Sequence, residues 1–178
     1  KEYYKEDPMR PYSFRYACVS YLSKMLFNVY KLPIIILRPT LAYGPGQKET
    51  MFIPKLIKTL LRNERFIMTP GEQTRDFIFI DDLVNAYTLA GVSEGHFGEI
   101  FNIGSGKEYK IKDIAYRIAS FLNKRNFLKI GAKDYRKSEI MSYFVDISKA
   151  KKLLNWTPKI EIDEGLKKTI EWYSCGKR

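Results

Sequence analysis

Gly71-Glu72-Gln73-Thr74-Arg75-Asp76-Phe77-Ile78-Phe79-Ile80-Asp81-Asp82-Leu83 is the stretch of this sequence richest in chemistry. Arg75 stands at the mouth of an apolar strand, Phe77 to Ile80, that runs directly into a helix. An arginine fixed by a rigid strand presents a planar fork of donors, the geometry that phosphate and pyrophosphate oxygens accept. Asp81 or Asp82 can cap the helix that follows, with Leu83, Val84, Tyr87 and Leu89 as its apolar positions. Taken alone, the same residues are explained equally well by a structural ion pair between Arg75 and Asp76.

The neighbouring segments must position such an arginine. Upstream, Ile34-Ile35-Ile36-Leu37 is a continuous apolar run, as in a strand covered on both faces. It opens through Arg38-Pro39-Thr40-Leu41-Ala42-Tyr43-Gly44-Pro45-Gly46-Gln47 into a Pro/Gly loop at its carboxyl end, where open α/β sheets bind their ligands. Downstream come Phe101-Asn102-Ile103-Gly104-Ser105-Gly106, Tyr135-Arg136-Lys137-Ser138-Glu139, and Asp146-Ile147-Ser148-Lys149-Ala150 leading to Leu154-Asn155-Trp156.

In this order the segments resemble the C-terminal half of the NAD-dependent epimerase/dehydratase family, the extended short-chain dehydrogenases that act on nucleotide sugars. The resemblance runs from about Pro11 to Tyr173. It implies an α/β fold, a partial Rossmann-type parallel sheet with its N-terminal half missing, joined to a small α/β substrate-binding lobe. Residues 11–50 and 76–103 would form the remainder of the sheet and its helices; 51–75 and 104–178 would form the lobe. The resemblance further implies NAD or NADP as cofactor, a nucleotide sugar as substrate, and a homodimer packed through the helix at 13–31. Tyr21, Met25 and Val29 are the candidates for its exposed stripe.

Family members use a Tyr-x-x-x-Lys pair, residues four apart being neighbours on a helix face. The lysine lowers the tyrosine's pKa and holds the nicotinamide ribose, and the tyrosine exchanges a proton with the sugar hydroxyl. Here the resemblance aligns the tyrosine with Tyr12 and the lysine with Tyr16, so the lysine is absent. Arg15 is one residue off, roughly a hundred degrees round the helix. Pro39 and Thr40 match positions lining the nicotinamide side of the pocket. Leu41 replaces a usual asparagine, which weakens a 4-epimerase assignment relative to a reductase or dehydratase. Arg75 and Arg136 are expected to converge on the substrate pyrophosphate, with Gln73 adding a neutral hydrogen bond and Phe66 packing near the base. The bland alternative is that both arginines form structural ion pairs with Asp76 and Glu139.

No Gly-rich turn between a strand and a helix, of the kind that cradles a dinucleotide pyrophosphate, occurs in the sequence. Gly104-Ser105-Gly106 is too short. The cofactor cradle is therefore expected to lie elsewhere, and binding of NAD or NADP by this segment alone to be poor. The strand at 34–37 is expected at an open edge, beside a helix with unusually exposed apolar residues.

With 178 residues, 45% of them hydrophobic, the chain can bury a sizeable core as a single domain. No apolar run reaches membrane-spanning length. Cys18 and Cys175 fit neither a disulfide framework nor a metal site, which points to a reducing cytoplasm. The single histidine, His96, sits in a Gly-rich turn, which excludes Ser-His-Asp chemistry and histidine metal clusters. The net charge of +11 admits a nucleic-acid surface. Yet Lys55, Lys58, Arg62, Arg65, Lys149, Lys151 and Lys152 are spread at helical spacing opposite apolar residues, as on solvated helix faces, which argues against it.

Periodicity predicts helices at about 13–31, 52–62, 82–91, 111–123, 148–154 and 163–173. Strands are expected at 34–37, 65–68, 76–80, 99–103, 127–130 and 143–145. Besides the enzyme reading, two others follow from the same residues: an inactive remnant that lacks the cofactor-binding half, and a basic nucleic-acid-binding domain.

Overall fold

The computed structural model describes residues 1–2 and 11–176, with the side chain of Tyr12 outside the described residues. Tyr3 to Arg10, expected to form a loop or frayed start, also lie outside them.

Three amphipathic helices build the larger core. The second helix of the chain, α2 (Phe52–Leu61), buries Ile53, Pro54, Leu56, Ile57 and Leu60, the i, i+3, i+4, i+7 pattern of one helix face. Pro54 is tolerated because the first-turn N–H groups have no intrahelical acceptor. α4 (Ile111–Phe121) does the same with Ile111, Ile114, Ala115, Ile118 and Ala119, and α6 (Ile162–Ser174) with Ile162, Leu166, Thr169, Ile170 and Tyr173. These faces meet Tyr43, Phe66, Met68, Phe77 and Phe79 in one hydrophobic cluster. α2 and α4 end alike: Asn63 and Asn123 take left-handed φ of 58° and 55°. The next amides, of Glu64 and Lys124, donate back to Thr59 O (3.1 Å) and Ala119 O (2.7 Å). Asparagine at that position stops the helix while satisfying its last carbonyls.

A second cluster forms from Ile78, Leu83, Ala86, Ala90, Phe101, Ile103, Ala150, Leu154 and Trp156. It joins α3 (Ile80–Gly91), β6 (Ile100–Ile103) and α5 (Ser148–Leu153). The helix α3 buries Leu83, Ala86 and Ala90 and leaves Val84 and Tyr87 exposed, so the apolar face expected from the sequence is turned. Nor does a side chain cap it, since Phe79 occupies the cap position. Asp82 is buried instead and accepts from the backbone N–H groups of Lys159 and Ile160, both at 2.9 Å. The indole Nε1 of Trp156 donates to Asp82 O at 3.1 Å. Asp82 thus ties the start of α3 to the segment leading into α6.

Strand pairing is mostly parallel. β1 (Ile36–Pro39) pairs with β6, β2 (Leu41–Tyr43) with β5 (Phe77–Phe79), and β3 (Phe66–Met68) with β8 (Leu128–Ile130). β4 (Thr74–Arg75) and β7 (Tyr109–Lys110) form a short antiparallel pair. Leu41 to Tyr43, read from the sequence as part of a loop, is therefore a strand, and Tyr143 to Val145, read as a strand, has no regular structure. β1 begins at Ile36 rather than at Ile34 and, like every other strand among the described residues, has one partner, so pairing does not single it out as an edge. Beside it in the chain, α1 (Pro11–Tyr30) leaves Phe14, Val19, Tyr21, Leu22, Met25 and Val29 exposed.

β5 is buried at every residue, and its pleat sends Phe77 and Phe79 to the first cluster and Ile78 to the second. One close approach depends on a glycine. A Cβ at Gly165 in α6 would stand 2.2 Å from Tyr43 Oη and 2.9 Å from the Phe79 ring. In an open helix, alanine for glycine stabilises by about 1 kcal/mol. Here the buried Tyr43 cannot move aside, so Gly165→Ala is expected to destabilise by about 1–3 kcal/mol. Urea unfolding of the two proteins measures it, and a gain in stability would show that the contact yields.

Candidate functional site

A buried carboxylate organises the region where β1, β5 and β6 come together. Asp76, fully inaccessible, accepts from Ser105 N and Ser105 Oγ (both 2.7 Å), Gly106 N (3.1 Å) and Thr40 Oγ1 (3.4 Å), with Val145 N at 3.5 Å. A buried charge is tolerable only when surrounded by donors in this way. Gly104 is required by this crowding: its Cβ would lie 2.6 Å from Asp76 Oδ2 and 2.8 Å from both Thr40 and Val145.

Arg75 precedes Asp76 and is held elsewhere. Its Nη1 donates to the carbonyls of Thr74 and Ile140, each at 2.6 Å, and its Nη2 to Glu139 Oε1 at 2.5 Å. The ion pair expected in the bland reading exists, but with Glu139 rather than with the adjacent Asp76. Successive residues of an extended segment point to opposite sides, which separates the two neighbours.

Glu139 opens onto a cavity of about 250 Å³ that Phe66, Gln73 and Arg136 also line, together with Phe52 and Lys55 from α2. β3 delivers Phe66; the turn before β4 delivers Gln73, which is buried. Arg136 comes from the long connection after β8, and the amide of Glu139 donates to Arg136 O at 3.0 Å, placing both side chains on one turn. That connection is anchored from several sides. Thr74 N donates to Met141 O at 2.8 Å, Glu72 N to Tyr135 Oη at 2.9 Å, and the Thr74 and Ser142 hydroxyls to Glu108. The two hydroxyl bonds hold the Glu108 carboxyl below its ordinary range.

Lys55 and Lys133 add positive charge to the lining, and Asp134 and Glu139 negative. Lys55 reads in the sequence as one more solvated helix lysine; nothing local marks it, because the facing connection lies far along the chain. Burial raises the Tyr43 hydroxyl well above its ordinary range, and it donates to Ile162 O. Tyr43 is therefore a neutral packing residue.

The positions assigned to proton transfer and to the nicotinamide are differently placed. Tyr12 is the second residue of α1, with its side chain outside the described residues. Tyr16 is exposed and carries the Arg15 guanidinium 4.9 Å from its ring centroid. Pro39, which ends β1, and Leu41, which opens β2, are exposed, while Thr40 between them is buried with its hydroxyl turned to Asp76. The amides of Ser105 and Gly106, the donors that most resemble a phosphate cradle, already serve the Asp76 carboxylate. These donors therefore do not fit a dinucleotide pyrophosphate. Among the described residues no cluster could hold a metal ion and no helix is long and apolar enough to cross a membrane. His96 stacks edge-on against Phe101 at 6.1 Å.

Comparison with known proteins is consistent with this geometry. Residues 1–104 match the model of the NAD dependent epimerase/dehydratase family. A UDP-glucuronate 4-epimerase of Thermodesulfobacterium geofontis is 35% identical over 172 residues, covering 94% of this chain and 51% of its own length. The human dTDP-D-glucose 4,6-dehydratase is 32% identical, covering 94% of this chain and 49% of its own. Among solved structures, the UDP-glucuronic acid 4-epimerase of Bacillus cereus, in complex with UDP-glucuronic acid and NAD, superposes with a TM-score of 0.92. It is 27% identical, with 99% of this chain and 56% of that one covered. The chain spans about half the length of the curated relatives it matches.

Asp76→Ala is expected to remove the shared acceptor of this region. Three backbone donors, of Ser105, Gly106 and Val145, left unsatisfied at about 1–3 kcal/mol each predict a loss of about 3 kcal/mol or more. Denaturant midpoints measure that loss, and a change below 1 kcal/mol would mean that water replaces the carboxylate.

Proposed function

Because the chain belongs to the NAD dependent epimerase/dehydratase family, we propose that it is the substrate-binding part of a nucleotide-sugar epimerase, dehydratase or 4-keto reductase. One observation carries this: Phe66, Gln73 and Arg136, from three separate segments, line a single cavity whose wall includes the partner of Arg75. An aromatic ring, a carboxamide and cationic groups around one hollow suit a nucleoside diphosphate, the base on the ring and the diphosphate on the charges. In this assignment residues 51–75 and 104–178 supply the substrate lobe, and 11–50 with 76–103 the sheet beneath it. Exposed Leu41, with no side-chain donor, favours the dehydratase or reductase branch over 4-epimerisation.

The nicotinamide cofactor, NAD or NADP, is held mainly by residues outside this segment, because Thr40, Ser105 and Gly106 direct their donors to Asp76. Proton transfer is assigned to Tyr12. Tyr16 at the lysine position favours a second reading, in which the ancestry is kept and the activity lost. Titration with NAD(H) and NADP(H) separates the two, since a chain that takes up neither supports the inactive form. The free, exposed thiols of Cys18 and Cys175 support a reducing compartment, the cytoplasm.

Arg136→Ala and Arg75→Ala are each expected to weaken UDP or dTDP binding about tenfold or more, the worth of a charge-assisted bond of about 1.5–3 kcal/mol. Calorimetry reads this directly. Unchanged affinity in both variants, with the fold intact, would refute the assignment.

The exposed apolar residues of α1, with Tyr21, Met25 and Val29 among them, support a covered face, either against a second copy or against the cofactor-binding half. A homodimer is the expected form. Light scattering that finds only monomer for a version containing both halves would count against it.

A further inference from the structure

Arg75 and Glu139 are 16% and 20% exposed at their side chains, and Glu139 is one of two carboxylates lining the cavity. A diphosphate entering that cavity meets Lys55, Lys133 and Arg136 directly; Arg75 does not line the cavity and joins it only through Glu139, whose Oε1 accepts from Arg75 Nη2. We infer that Glu139 is an internal stand-in for the ligand's phosphate, occupying the Arg75 guanidinium in the free chain and giving it up to the diphosphate on binding. This rests on the substrate reading proposed above.

Three features make the exchange feasible. First, the carboxylate touches one end of the guanidinium through a single oxygen, while Nη1 is fixed by the carbonyls of Thr74 and Ile140. Arg75 therefore keeps its aim when the carboxylate leaves. Second, the connection that carries Glu139 is anchored by groups other than this ion pair, namely Met141 O, Tyr135 Oη and Ser142 Oγ. A rotamer change of Glu139 is enough, and the backbone stays in place. Third, a diphosphate seated on Arg75 with Glu139 still bound would set like charges side by side at low exposure, which is strongly unfavourable. No covalent bond changes; one anion replaces another on the same cation.

The exchange predicts that removing the charge of Glu139 improves binding. In calorimetry on the whole chain, Glu139→Gln, which keeps the shape, is expected to bind UDP about tenfold more tightly, as a competing charge-assisted bond is lost. Uridine, with no phosphate, is expected to bind both forms alike. Glu139→Ala shifts UDP in the same direction, which covers the case of a poorly folded glutamine variant. UDP affinity that is unchanged or weaker in both variants overturns the inference, and so does equal tightening of uridine. Arg75→Ala, measured beside them, separates the two levels. If it weakens UDP while the Glu139 variants do not tighten it, the stand-in role fails and the phosphate site stands. If none of these variants alters UDP affinity, both fail.

Discussion

The carboxylate of Asp76 is the constraint on which the rest of this region depends. An ion without access to water must be met by donors, and those donors come from the end of β1, from the Gly104 to Gly106 turn and from the approach to α5. Each segment is placed by its need to reach the same two oxygens. The arrangement also decides the neighbouring side chain. With Asp76 facing inward, the extended backbone sends Arg75 the other way, toward the connection after β8, where Glu139 and the Ile140 carbonyl receive it. A glycine-containing turn that looks like an anion cradle is closed round an anion supplied by the chain itself.

A second buried carboxylate works on the other side of β5. Asp82 takes the amides of Lys159 and Ile160, and its own carbonyl takes the indole of Trp156. These bonds set where α6 begins, and α6 in turn fills the groove between α2 and α4. Two aspartates six residues apart thus place both the turns beside the strands and the helices behind them.

Much of this was legible in the sequence. The strong 3.6-residue periodicity of α2, α4 and α6 marked their extents to within a residue or two, because each buries a continuous row of large apolar side chains. α3 was misread in its facing. Its buried row is Leu83, Ala86 and Ala90, and alanine carries too weak a signal to outweigh the exposed Val84 and Tyr87. The two-residue strands β4 and β7 had no local pattern to show, since pairing across more than thirty positions created them. Tyr143 to Val145 looked like a strand from its aromatic and β-branched residues, yet Val145 spends its amide on Asp76 instead of a ladder. Of the candidate residues named from the sequence, Phe66, Gln73 and Arg136 line one cavity, whereas Arg75 and Leu41 lie outside its lining. Glu139 as the partner of Arg75 could be named only as one alternative. Long-range ion pairs leave no periodicity in a chain.

The pleat of β5 carries a consequence for how this protein can change over time. Phe77 and Phe79 belong to one hydrophobic cluster and Ile78 to the other, so three consecutive residues form a party wall between two cores. Substitutions can drift independently in α2 or α3, on either side of that wall. An insertion or deletion of one residue in the wall itself would exchange the tenants of both rooms at once, turning isoleucine toward a space shaped for aromatic rings. Length at this point is therefore far less negotiable than composition, and indels among descendants of this chain belong in its connections.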